Sequence, residues 1–118
     1  MRITMYGIRN CDTIRKARAW LDTRGVAYAF HDYKVSGIDR AQLDAWRREL
    51  GWERLINRAG TTFRKLPDAA KATLDETRAL TLMLEQPSLI KRPVLDVNGR
   101  LTVGFDPEAW KRLVTGGA

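Results

Sequence analysis

Cysteine occurs once in this chain, at position 11, and histidine once, at position 31. A single thiol excludes an internal disulfide and any zinc site built from several cysteines. No apolar run approaches the roughly 18 residues that a membrane-spanning helix needs, so no membrane role is expected. The opening residues, Met-Arg-Ile-Thr-Met-Tyr-Gly, show no apolar core of a secretory signal and no small-residue cleavage site, which makes the cytoplasm the expected compartment. Internal repeats, low-complexity tracts and linkers are also lacking. The 118 residues, 44% apolar and 30% charged, suit one soluble globular domain with a real core.

What the chain has in excess is positive charge. It carries 21 Lys and Arg against 14 Asp and Glu, a net charge of +7, and 15 of the 21 cations are arginine. Guanidinium groups suit bidentate contact with phosphate or carboxylate, and a basic balance raises nucleic acid as a candidate partner. The excess is uneven. Residues 1–65 hold 14 basic and 7 acidic side chains, whereas residues 66–118 hold 7 of each. The whole surplus therefore lies in the half that contains Cys11. No zinc finger, RNP pattern or basic docking helix accompanies it, so nucleic acid is not the expected partner.

Hydrophobic periodicity predicts the order of elements. Residues 2–6 alternate polar and apolar up to Gly7, as a short strand does. Ile8 to Thr13 reads as a loop entering a helix, with Asn10 as N-cap and Asp12 in the first turn. Ile14, Ala17 and Leu21 form the buried stripe of that helix, which should stop near Gly25. Residues 26–33 read as a second strand with Tyr28 and Phe30 on one face and His31 on the other. Strand, helix and strand of this length make a parallel, right-handed unit.

The middle is helical. Asp39 and Gln42 form a capping-box pattern ahead of Leu43, Trp46 and Leu50, with Gly51 at the C-terminal end, and Thr73 with Glu76 forms a second ahead of Leu80, Met83 and Leu84. Between them, residues 57–66 are rich in loop formers and cations. Further on, Pro93 precedes a strand over 94–97, Asn98-Gly99 signals a type I′ hairpin, and residues 101–103 return. Asp106-Pro107 opens a last helix with Trp110, Leu113 and Val114 inward and Gly116 beyond its end. The four tryptophans sit mostly at core spacings and read as packing. The pattern β-α-β, helices, β-β-α predicts a small mixed four-stranded sheet with helices on its faces.

Cys11 lies where a strand hands over to a helix. A thiol of ordinary pKa about 8.5 is only about 3% ionised at pH 7, and a helix dipole contributes less than the 1.36 kcal/mol of one pKa unit. Close guanidinium groups would have to supply the rest, Arg9 and Arg15 being the local candidates. The alternative from spacing alone is a buried, inert cysteine.

The blocks Tyr6-Gly7-Ile8-Arg9-Asn10-Cys11-Asp12-Thr13-Ile14-Arg15-Lys16-Ala17, Phe30-His31-Asp32-Tyr33, Gly60-Thr61-Thr62-Phe63-Arg64-Lys65-Leu66 and Ile90-Lys91-Arg92-Pro93-Val94 resemble the arsenate reductase (ArsC) and Spx family, on its YffB-type branch. The four fall in family order along nearly the whole chain. The resemblance implies a thioredoxin-like α/β fold in a single domain over 1–118, with a helical insertion at about 38–88 and a cis peptide bond at Arg92-Pro93 before the third strand. It makes Cys11 the nucleophile. It aligns Arg64 and Arg92 with arginines of the anion site and Arg15 with the arginine four residues after the cysteine.

Departures narrow the implied activity. Glutaredoxin-linked arsenate reductases have a histidine where this chain has Gly7, and a third oxyanion arginine where Gly104-Phe105-Asp106 offers none. Both differences argue against arsenate turnover. Ile14 replaces the second cysteine of the Spx Cys-x-x-Cys pair, which leaves a monothiol. A monothiol needs a resolving thiol from outside, and glutathione, with two carboxylates, is the expected reducing co-substrate. The expected function is thus a glutathione-dependent thiol reductase acting on an oxidised thiol or small-molecule substrate. Cys11 would attack, Arg15 and Arg92 would favour the thiolate, and Arg64, Arg9 and Pro93 would complete the site. Glutaredoxin is a further candidate partner, and no metal is expected. The competing expectation is an Spx-like redox-sensing or transcription-related binding protein without turnover.

Overall fold

The computed structural model describes residues 2–115, and Gly116 lies outside them. The described residues divide into two compact units, one made of residues up to 33 and from 92 onward and the other of residues 34–91.

The first unit is built on a sheet of β1 (Ile3–Gly7), β2 (Ala29–Asp32), β3 (Val94–Val97) and β4 (Arg100–Val103), in the order β2-β1-β3-β4. β1 and β2 pair in parallel with Met5 opposite Phe30 and Tyr6 opposite His31, while β3 runs antiparallel to β1 with Leu95 opposite Met5. Because side chains alternate along a strand, this register gathers Ile3, Met5, Phe30, Leu95 and Val97 on one face. That face packs with Ile14, Ala17 and Leu21 of α1 (Asp12–Thr23) and with Trp110 and Val114 of α8 (Pro107–Thr115). Trp20, Phe105 and Trp110 meet there edge to face, with centroids 5.0 to 6.5 Å apart. Tyr6 and His31 lie on the opposite face, ring centroids 5.3 Å apart. The architecture is a thioredoxin-like α/β fold with a mixed four-stranded sheet.

The turns follow their residues. Asn98 and Gly99 take φ values of 53° and 91°, as a type I′ hairpin requires. The Asp106 carboxylate accepts from the Ala109 N–H at 3.3 Å and caps α8, with Pro107 at the first helical position.

The second unit contains α3 (Arg40–Leu50), α4 (Trp52–Leu55), α5 (Thr61–Arg64), α6 (Asp68–Ala72), α7 (Glu76–Glu85) and a 3₁₀ turn (Pro87–Leu89). A short α2 (Tyr33–Ser36) begins at the unit boundary. α7 packs against α3, α4 and the 3₁₀ turn. Leu43, Trp46, Leu50, Leu80 and Met83 are buried as their spacing predicts. Asp39 caps α3 by accepting from the Gln42 N–H at 2.7 Å. The second predicted box is displaced. Asp75 caps α7 by accepting from the Arg78 N–H at 2.8 Å, whereas the Thr73 hydroxyl donates to the Ala69 carbonyl at 2.8 Å and closes α6. A carboxylate at position 75 is the stronger cap, and the helix starts after it.

Candidate active site

Cys11 occupies the N-cap position of α1, with extended backbone angles of −138° and 130°. The expected cap, Asn10, is one residue too early: the Arg15 N–H bonds the Cys11 carbonyl at 2.9 Å, so the helical ladder begins at Cys11 itself. This placement sets the thiol over the first turn of the helix. The Cys11 side chain makes no short capping bond, but the free N–H groups of Ile14 and Thr13 favour negative charge on its sulfur.

The second element at the sulfur comes from the far end of the chain. Arg92 directly precedes β3, and its bond to Pro93 is cis. The Pro93 carbonyl accepts from the Gly104 N–H at 2.9 Å, which ties this turn to the end of β4. From there the Arg92 guanidinium hydrogen-bonds to the Cys11 sulfur and to the Tyr33 hydroxyl. Partial burial pushes the Cys11 pKa up. The Ile14 N–H, the hydrogen bond and charge of Arg92, and the Thr13 N–H outweigh it and hold the thiol below its ordinary value. For Tyr33 the balance is reversed: burial raises its pKa well above the usual phenol value, despite the opposing charge and hydrogen bond of Arg92. The triad is therefore a thiol prone to ionise, a fixed cation and a phenol kept neutral. It is the arrangement of an activated nucleophile.

Two of the predicted site residues, Cys11 and Arg92, belong to this cluster, and Pro93 adjoins it through its cis bond to Arg92. Arg15 does not, because its guanidinium binds the Asp12 carboxylate at 2.6 Å on an exposed face. The thiolate-favouring role expected of Arg15 passes to backbone N–H groups one turn earlier. Arg9 is exposed two residues before the thiol, its backbone N–H bonded to the Asp32 carboxylate at 3.0 Å and its guanidinium over the Phe30 ring at 5.9 Å. Arg64 belongs to the second unit, exposed at the end of α5, where its carbonyl accepts from the Lys71 ammonium at 2.9 Å. Tyr33 carried no expected role. Its only signal was its place at the end of the block Phe30-His31-Asp32-Tyr33. Among the described residues, no group of three or more His, Cys, Asp or Glu side chains could hold a metal ion.

The sequence pattern of the ArsC family matches residues 6–113. The chain belongs to the ArsC family. It is 40% identical over 109 residues to an uncharacterized protein of Haemophilus influenzae, covering 92% of this chain and 96% of that one. It is 31% identical over 108 residues to the global transcriptional regulator Spx of Streptococcus mutans, covering 90% and 78% respectively. Among solved structures, a YffB protein shares 57% identity and a TM-score of 0.91 over 96% of this chain and 99% of that one. An arsenate reductase (ArsC) related protein from Brucella melitensis shares 50% identity and a TM-score of 0.79 over 98% and 96%.

Within this ArsC-family chain, the glycine at position 7 has a packing reason. Gly7 is buried at the end of β1, and a Cβ placed there collides with the Ile14 side chain, with Phe30 also in contact. Ile14 is the residue whose N–H faces the sulfur. A side chain at position 7, histidine included, would therefore have to displace the Ile14 side chain that packs beside the thiol's helix.

Proposed function

We propose that this ArsC-family protein is a cytoplasmic, glutathione-dependent thiol reductase with Cys11 as its single nucleophile. The observation that carries the reading is the convergence of the α1 N-terminal amides and Arg92 on one partly exposed sulfur. In the proposed cycle the Cys11 thiolate attacks one sulfur of a disulfide R–S–S–R′, forming Cys11–S–S–R and expelling R′–S⁻, which takes a proton from water. A glutathione thiolate then attacks the R sulfur, giving R–S–S–glutathione and regenerating the Cys11 thiolate. When R is itself glutathione, the substrate is a mixed disulfide, one incoming glutathione thiol releases R′ as a thiol and the product is oxidised glutathione; for any other R, a second glutathione thiol reduces R–S–S–glutathione to the R thiol and oxidised glutathione.

Arg92 favours the attacking thiolate and favours Cys11 again as leaving group. Arg9 supplies a cation for the carboxylates of glutathione or substrate, and Pro93 shapes the wall beside the sulfur. Glutaredoxin is an alternative carrier of the resolving thiol. No step requires a metal.

The test is the pH dependence of Cys11 alkylation, followed by intact mass after exposure to oxidised glutathione. An alkylation pKa below that of an ordinary free thiol and a single glutathione adduct are expected. A pKa above that value with no adduct overturns the proposal. The 31% identity to Spx favours one rival, a transcription-related binding protein that uses Cys11 only as a sensor. That rival predicts the adduct without turnover.

A further inference from the structure

We infer that the flank of α1 beside Cys11 recognises an acidic side chain on a disulfide-bearing polypeptide, through Arg9 and Arg18 held against the ring of Phe30. The inference rests on the reading of Cys11 as an exchange thiol and adds its substrate class. The Arg18 guanidinium lies over the Phe30 ring at 4.5 Å and over the Tyr28 ring at 5.9 Å, and its Nε donates to the Tyr28 hydroxyl at 3.0 Å. Arg9 lies over the same Phe30 ring at 5.9 Å. Both rings pack against the core of the first unit, so the guanidiniums are already oriented. Rotamer freedom lost on folding is not lost again on binding.

Charge balance separates these two arginines from Arg15, whose guanidinium is paired with the Asp12 carboxylate at 2.6 Å. Among the described residues no ion pair takes the guanidinium of Arg9 or Arg18, although the Arg9 backbone N–H holds the Asp32 carboxylate at 3.0 Å. Two guanidiniums against one ring, with Asp32 held at the backbone end of Arg9, leave a place for a further anion. β2, which carries Phe30, is an edge strand, so the strip lies at an end of the sheet's strand order.

Spacing defines the partner. Cys11 and Arg18 stand at i and i+7, on the same flank of α1 and about 10 Å apart along its axis at 1.5 Å per residue. An extended polypeptide advances about 3.3 Å per residue, so the matching acidic side chain lies about three residues from the disulfide cysteine. Asp22, four residues beyond Arg18, ends the basic strip. The ring faces are taken by guanidinium groups, which leaves no platform for stacked bases and favours a polypeptide over a nucleic acid.

The experiment uses the full chain and synthetic peptides whose one cysteine is in mixed disulfide with 2-mercaptoethanol, bearing Glu or Gln three residues away. The second-order rate of Cys11 capture is followed by intact mass. The Glu peptide is expected to react about fivefold to tenfold faster at 20 mM salt, with the difference shrinking to about twofold or less at 0.5 M. Arg18→Gln should bring the Glu-to-Gln ratio close to one, and Arg18→Glu should reverse it in favour of a Lys peptide.

Equal rates in the wild type, or an unchanged ratio in Arg18→Gln, overturn the inference. So does an oligothymidylate that competes better than polyglutamate, which would assign the strip to nucleic acid. If neither peptide is captured, the exchange reading fails. The surface is then judged by fluorescence anisotropy of labelled peptides with Ser for Cys, where a Glu preference supports it and no preference refutes it.

Discussion

Replacing Arg92 with glutamine removes the guanidinium that acts on the Cys11 sulfur and leaves a shorter, neutral amide in its place. A hydrogen bond to a charged group contributes about 1.5 to 3 kcal/mol when well shielded. Arg92 is only partly buried, so solvent screening brings its contribution to the thiolate just below that range, to about 1.4 kcal/mol, or a factor of about ten. The assay is the rate of iodoacetamide alkylation from pH 5 to pH 10, read by intact mass. At neutral pH the variant should react about tenfold more slowly, and the curves should converge at high pH, where both thiols are ionised. Arg15→Gln, whose native guanidinium is on Asp12, should change the neutral rate by less than about twofold. An Arg92→Gln profile that overlays the wild type, or an Arg15→Gln profile shifted as far, refutes the assignment.

Three further outcomes follow from the same geometry. Tyr33 has a raised pKa in the fold, so above the ordinary phenol value near 10 the unfolded chain ionises first and stability falls with rising pH; Tyr33→Phe should flatten the decline in Tm between pH 9 and 11. Cys11 works in the opposite sense, since its depressed pKa makes stability rise with pH up to the unfolded thiol value near 8.5, a rise that Cys11→Ser should abolish in urea titrations. Gly7→Ala should cost about 1 to 3 kcal/mol in urea unfolding through overpacking against Ile14, and should also slow Cys11 alkylation because Ile14 carries an amide that faces the sulfur.

Most elements could be read from the sequence because their signals are local. The stripe Ile14, Ala17, Leu21 is buried as its spacing requires, and the Asn98-Gly99 hairpin and the Asp39 and Asp106 caps need only neighbouring residues. Errors arose where two local signals competed. Asn10 and Cys11 both precede the first helical residue, and the nominally better cap lost because the ladder starts at the Cys11 carbonyl. Thr73 lost to Asp75 for a related reason, the shorter helix α6 ending where α7 was expected to begin.

The site was legible in part. Cys11, Arg92 and Pro93 were marked by the family blocks, although 80 residues separate the thiol from its cation and no periodicity links them. Arg15 looked right by spacing, but Asp12 three residues earlier offered a nearer charge, and i,i+3 pairing took it. Tyr33 was invisible as a functional residue because a tyrosine ending a strand reads as core, and only the turn before β3 brings Arg92 to its hydroxyl.

The central claim is catalytic use of one thiol with glutathione as the source of electrons. It is tested most directly by steady-state reduction of the mixed disulfide of glutathione with 2-mercaptoethanol, coupled to glutathione reductase and followed by NADPH consumption. Turnover should be proportional to protein, abolished by Cys11→Ser and reduced about tenfold at neutral pH by Arg92→Gln. Turnover no greater than the glutathione blank, from a protein whose Cys11 is alkylated normally, would contradict it and leave a binding protein with a reactive thiol.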